Sequence, residues 1–244
     1  IKDMLRAALK ACTQHDERLD ATGRDLLQAL RKDEAALLAT IDRGVQAAVG
    51  TVSIRIHGDL HLGQVLIAQG DVHFIDFEGE PVRSLEQRRA KSLPWRDLAG
   101  MMRSFDYAVA VFDSVPEAGT GSSTAITAEA EALAIPDTED LAHRRHELIK
   151  RFCASATRAF LDSYEAELSD WAVAHPQSAP LVVEDSKARR TLLDLALIEK
   201  AAYEIVYEAA HRPDWMVVPL RGLHRAAGRL LHPVEPAGPG EGSE

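Results

Sequence analysis

The chain has 244 residues, 46% of them hydrophobic and 5% aromatic, which is enough for one large or two small globular domains with a real core. Lys and Arg number 28 against 38 Asp and Glu, a formal net charge of -10, and no basic cluster or aromatic-and-basic stripe stands out, so no nucleic-acid partner is expected. The two cysteines, Cys12 and Cys153, are too few for a disulfide framework or a thiolate zinc site, and no apolar run approaches the roughly 20 residues that span a bilayer; the expectation is a reducing, cytoplasmic setting and no membrane partner.

The chain opens at Ile1 without an initiator Met and runs straight into a helical pattern, from which a piece of a longer polypeptide is expected. Over 24–49, Leu26, Leu30, Leu37, Leu38, Ile41, Val45 and Val49 recur at helical spacing and predict one amphipathic helix ended by Gly50. The stretch "TVSIRIH" alternates Val52, Ile54 and Ile56 with Ser53, Arg55 and His57, which predicts a strand. After "GDLHLGQ", the runs "VLIA" and "VHFIDF" flank Gln69-Gly70-Asp71, which predicts a tight hairpin.

A helix is predicted over 95–112, with Leu98, Met101, Met102, Phe105, Ala108 and Val109 at helical spacing. The Gly, Ser, Thr and Ala-rich segment 114–137 reads as a flexible surface insertion. Long helices are predicted over 141–174, marked by Leu148, Phe152, Ala156, Phe160, Tyr164 and Leu168 and ended by His175-Pro176, and over 186–210. A shorter helix follows in "PLRGLHRAAGRLL", and the Pro, Gly and acid tail 233–244 reads as disordered. The fold class is therefore α+β, mainly α, with a small β element near the front and one folded unit over 1–232.

Chemistry concentrates in "IRIHGDLHLGQVLIAQGDVHFIDFEGEP". A hairpin folded back beside the first strand brings Asp59, Asp76 and Glu78 to one end of the sheet, where converging carboxylates need a cation or a shared proton. Taken singly, each Asp is as readily a turn former. Two metal chemistries compete. His57, Asp59 and His61 at i, i+2 and i+4 share a strand face, as metallohydrolase ligands do. Alternatively, Asp59 orients an attacking hydroxyl while Gln64 and Asp76 hold Mg²⁺ on nucleotide phosphates. The order Asp, amide five residues on, hairpin, then Asp76-Phe77-Glu78 favours the second, and no further His or Asp motif supports the first. His143, His146, His175 and His211 lack metal-ligand spacing.

The strings "HGDLHLGQVL", "IDFEGEP", "RDLAGMMRSFDYA", "EKAAYEIVYEAAHRPDW" and "VPLRGL", over 51–223, together resemble the C-terminal lobe of bacterial maltokinases, aminoglycoside-phosphotransferase-like enzymes with a protein-kinase-like fold. The resemblance implies transfer of the ATP γ-phosphate to the anomeric hydroxyl of maltose, with ATP and Mg²⁺ as cofactors and an association or fusion with trehalose synthase. It implies Asp59 as catalytic base, Gln64 and Asp76 as Mg²⁺ ligands that bridge ATP phosphates, and Glu78 as a further ligand through water or a second ion. His57 takes the place of a loop-framing residue beside the substrate, and His61 stands behind the catalytic groups.

Glu199, Tyr203 and Tyr207, four residues apart on one helix face, either line a sugar groove or are half-buried packing residues. Arg103 and Asp106 are either sugar-hydroxyl partners or a structural ion pair. Trp215 reads as structural, and Arg88, Arg89 and Lys91 as solvated. The N-terminal lobe with its ATP-binding lysine and adenine hinge is absent from these residues, so the chain alone is expected not to phosphorylate maltose. The alternatives are a kinase of another sugar such as glucosamine, or a non-catalytic module that binds sugar or a partner enzyme.

Overall fold

The computed structural model describes residues 1–80, 84–114, 139–175 and 185–233. The 114–137 insertion, from residue 115 on, and the tail from residue 234 on lie outside the described residues. The described residues form a mainly helical assembly with one two-stranded antiparallel sheet, in line with the periodicity of the sequence. None of their helices is long and apolar enough to cross a membrane.

Helix α1 (Lys2–Gln14) buries Leu5, Ala8, Leu9 and Cys12, the i, i+3, i+4, i+7 stripe of an amphipathic helix. Burial pushes the Cys12 thiol up to about 12, which makes it an inert core residue. The single helix predicted over 24–49 is two: α2 (Ala21–Lys32) and α3 (Glu34–Gly44), followed by a 3₁₀ turn over Val45–Ala48. Asp20 caps α2 by accepting from the Gly23 amide at 2.6 Å. The break falls at Asp33, whose amide closes α2 on the Ala29 carbonyl and whose carbonyl opens α3 by accepting from Leu37. Leu30 and Leu37 are buried on either side of the break, so apolar spacing alone could not reveal it.

The strand predicted in "TVSIRIH" is absent. Ile54 exchanges two 2.9 Å backbone bonds with Ser92, and no further ladder partner extends this single bridge among the described residues. The hairpin is present, with β1 (Val65–Ala68) paired to β2 (Asp71–Phe74) in the register Val65 to Phe74 and Ala68 to Asp71. Gln69 at φ 55 and Gly70 at φ 83 supply the two positive φ angles that a two-residue hairpin loop with right-handed strand twist requires.

A short helix unforeseen in the sequence, α4 (Leu85–Arg89), is opened by a reciprocal Ser84–Gln87 capping box. Helix α5 (Trp95–Ser114) and helix α6 (Glu139–Ala174) lie close to their predicted bounds. The apolar stripe of α6 is only partly used: Phe160 and Tyr164 pack on the core, while Leu148 and Phe152 stay 69% and 68% exposed. Helix α7 (Ser186–His211) is the central post, packed against α1, α3 and α5. It buries residues nearly all round its axis from Leu195 to Ile198, as a helix covered on several sides must. Helix α8 (Val217–Leu231) completes the core through Leu220, Leu223, Ala226 and Leu230.

Candidate functional site

Helix α5 builds the bed on which residues 57–62 lie. Asp97, in its first turn, accepts from the amides of His57 at 2.6 Å and Gly58 at 2.9 Å. One turn on, Gly100 lets the backbone pass so close that a Cβ there would stand 2.5 Å from the Leu60 carbonyl oxygen. Another turn on, the Ser104 hydroxyl accepts from the Leu62 amide at 3.1 Å. Asp97, Gly100 and Ser104 share one helix face, so a single stripe of α5 fixes the loop that carries Asp59.

The loop after the hairpin is laid against the first. The buried His57 ring reaches the Ile75 carbonyl through Nε2 at 2.8 Å and packs on Phe77 with ring centroids 4.7 Å apart, and the Ile75 amide donates to the Gln64 carbonyl at 3.0 Å. Asp76 holds a φ of 63, uncommon for a non-glycine residue, and the Gln64 amide nitrogen meets its carboxylate at 3.0 Å. Turned by half a rotation, that amide would add an oxygen donor to the Asp76 carboxylate. One amide and one carboxylate suit a hard cation such as Mg²⁺, which takes its other ligands from water and phosphate.

The expected gathering of three carboxylates does not form. Among the described residues no three Asp, Glu, His or Cys side chains are placed to hold one metal ion. Glu78 is 81% exposed and lies 3.8 Å from Arg88, which is itself 24% exposed and also donates to the Glu78 carbonyl at 3.4 Å. Nor do His57, Asp59 and His61 form a ligand set, since the His57 ring serves the second loop and His61 Nδ1 accepts from the Gly63 amide at 3.1 Å.

Asp59 opens into a cleft lined also by Glu80, Arg96, Glu199, Lys200 and Tyr203. Glu199 pairs with Arg96 at 3.6 Å, and Lys200 Nζ lies 2.7 Å from Glu80, 3.4 Å from Asp59 and 5.3 Å from the centre of the Tyr203 ring. Of the predicted sugar-contacting residues, Glu199 and Tyr203 thus join Asp59. Tyr207 lies a turn beyond, half-exposed and stacked on His211 at 4.2 Å.

Arg103 is not a sugar partner. It is 2% exposed and bonded through Nε to Glu204 at 2.7 Å and through Nη1 to Asp106, which Arg225 also engages, so this is the structural ion pair. Beside it, Tyr107 donates to Glu208 at 3.0 Å, and burial with the neighbouring Glu204 and Glu208 pushes its phenol far up.

Asp97, Glu80 and Lys200 were not singled out from the sequence. Lys200 did carry a signal: with Glu199 it interrupts the apolar runs Leu195–Ile198 and Ala201–Ala202 of α7, where a lysine needs partners. Nothing in the sequence sets Asp97 apart from other acids in the first turn of a helix, or Glu80 from its neighbours Gly79 and Pro81.

Gly100→Ala is expected to destabilise the protein by about 1–3 kcal/mol, since the Leu60 backbone must give way, and to displace Leu60 and with it Asp59. On the catalytic role expected of Asp59, turnover should fall about 10- to 100-fold, since a shift of about 1 Å costs on that order. Steady-state rates beside a thermal melt would check this.

No family model matches the chain. It is 29% identical over 187 residues to a glucosamine kinase of Streptacidiphilus jiangxiensis, covering 76% of this chain and 34% of that protein. It is 31% identical over 198 residues to a glucosamine kinase of Mycolicibacterium smegmatis (strain ATCC 700084 / mc(2)155), covering 80% of this chain and 39% of that one. Among solved structures it resembles a glucosamine kinase at TM-score 0.57 and 25% identity, over 92% of this chain and 45% of the other. A glucosamine kinase in complex with glucosamine, ADP and inorganic phosphate matches at TM-score 0.56 and 25% identity, over 91% and 44%.

The chain therefore spans little more than a third of the length of these curated relatives. The relatives overturn the maltokinase resemblance, and with it the expectation of maltose as acceptor. The strings that carried that resemblance build the Asp59 loop, the Asp76 turn and the α5 and α7 cores, features that a kinase of another sugar needs equally.

Proposed function

We propose that this chain is the catalytic portion, a protein-kinase-like C-terminal lobe, of an ATP-dependent sugar kinase whose acceptor is glucosamine. The observation that carries the reading is the cleft itself. Asp59 stands in one polar depression with Glu199 and Tyr203, on a loop that continues to Gln64, whose amide meets Asp76, in a chain similar to glucosamine kinases.

In this reading the Asp59 carboxylate accepts the proton of a glucosamine hydroxyl as that oxygen attacks the γ-phosphorus. The new O–P bond forms as the bond from phosphorus to the β,γ-bridging oxygen breaks and ADP leaves. Phosphoryl transfer through a loose transition state asks for position more than basicity, which is why the clamp of α5 on the Asp59 loop matters. Gln64 and Asp76 would hold Mg²⁺, whose charge would offset that of the phosphate oxygens, with Glu78 reaching it only through water. The adenine grip and the lysine that contacts the phosphates are assigned to parts of the enzyme other than these 244 residues.

The charge of the cleft supports an amino sugar over a neutral one. Among the described residues that line it, Asp59, Glu80 and Glu199 are three carboxylates against the two cations Arg96 and Lys200, an excess that an acceptor ammonium offsets. With the full-length enzyme and Mg·ATP, kcat/KM for glucosamine is expected to exceed that for maltose at least about 100-fold, on the order of one lost charge-assisted contact in a dry site. Equal turnover of maltose, or transfer to no sugar at all, would sink the reading.

A further inference from the structure

Among the described residues Lys200 is the one lysine lining the cleft, and it comes from neither catalytic loop. It projects from α7 between the Asp59 loop and the loop that carries Glu80. Its ammonium is anchored on Glu80, itself only 5% exposed, and leans on Asp59 Oδ1. A buried or half-buried ammonium is costly unless its partners hold it in place. Here burial works against the charge, yet Glu80, Asp59 and Glu204 outweigh it and keep Lys200 above its ordinary value, firmly protonated.

We propose that Lys200 is a positioning residue: pinned by Glu80, it occupies one oxygen of Asp59 and so presents the other to the acceptor hydroxyl. The inference rests on the kinase reading above and deepens it. An Asp carboxylate on a short side chain can turn about its last bond, and either oxygen can face the substrate. A donor fixed on Oδ1 removes that freedom before the sugar arrives, which is the preorganisation that phosphoryl transfer rewards. The same ammonium ties the two loops to α7, the helix that brings Glu199 and Tyr203, so base, cation-binding turn and acceptor wall keep one register.

The rival role for Lys200 is a purely structural one, in which it does nothing but neutralise the buried Glu80. Three variants of the full-length enzyme distinguish the two. Lys200→Met is expected to lower kcat about 10- to 100-fold with KM for Mg·ATP changed less than about threefold. Lys200→Arg, which keeps the charge and can still bridge, should recover at least about a third of the wild-type kcat. The double variant Lys200→Met with Glu80→Gln removes both charges and guards against a Lys200→Met protein that fails to fold; it should melt near the wild type yet remain as slow as Lys200→Met. A double variant restored to wild-type turnover, or a Lys200→Met enzyme within about twofold of wild type, would overturn the proposal while leaving the kinase reading intact. A wild-type enzyme that phosphorylates no sugar would remove both.

Discussion

Asp59→Asn is expected to lose about 10²- to 10⁴-fold in kcat and, because it removes one of the three carboxylates of the cleft, to weaken glucosamine binding by a much smaller factor, up to about tenfold. The carboxamide keeps the shape of the side chain and its place on the α5 bed, since the bonds that hold the loop are made by the backbone amides of His57, Gly58 and Leu62. What it removes is the proton acceptor, and it also weakens the grip on Lys200, whose ammonium faces Oδ1. The loss should therefore appear far more in turnover than in binding. Steady-state kinetics paired with calorimetric titration of the sugar separate the two. An Asp59→Asn enzyme of unchanged kcat would mean that the cleft binds sugar without reacting on it, as a non-catalytic sugar-binding module does.

The second large effect concerns stability. Arg103→Met is expected to destabilise the protein by about 3–5 kcal/mol, because it leaves Glu204 buried without its cation. Arg103 is almost wholly enclosed, and Gly222 on α8 makes room for it: a Cβ there would lie 2.0 Å from Nη1. Burial pushes the Glu204 carboxyl up, and Arg103 and Lys200 oppose that shift, so removing the guanidinium tips the balance toward a protonated or displaced Glu204. For a chain of this size the melting temperature should fall by about 10 °C. Asp106→Ala should cost far less, since Asp106 is 36% exposed and water replaces part of what is lost. Thermal melts of the two variants side by side test the ranking, and a larger loss for Asp106→Ala would contradict it.

Arg103 and the hairpin mark the two ends of what the sequence makes legible. The hairpin was readable because Gln69-Gly70 is a local signal for a two-residue loop, and α7 and α8 because their periodicity runs for several turns. The break at Asp33 was hidden because both helices present leucine to the same core, and the single Ile54–Ser92 bridge looked like a strand because alternation records side-chain faces without recording whether a partner strand exists.

In the site, Asp59, Gln64 and Asp76 were legible as a spaced set on two neighbouring loops. Arg103 and Asp106 stay open between sugar contact and ion pair in the sequence because an Arg–Asp pair three residues apart looks the same on a surface as over a core. Asp97, Glu80 and Lys200 were invisible as a group because their partners lie about 40 or more residues away in the chain: Asp97 meets His57 and Gly58, and Lys200 meets Asp59 and Glu80. The acceptor was misread for a related reason. In the proposed reading it is set by the charge and shape of a cleft assembled from separate segments, not by any one contiguous string.

The central claim, that Asp59 serves a hydroxyl of glucosamine, is tested most directly by a crystal structure of the full-length enzyme with glucosamine bound. The expected result is a sugar in the cleft between Glu199, Tyr203 and Glu80, with one hydroxyl oxygen about 2.6–3.2 Å from the free oxygen of Asp59. Glucosamine seated away from Asp59, for instance in the more apolar cavity walled by Trp95, Leu161 and Leu193, would contradict it.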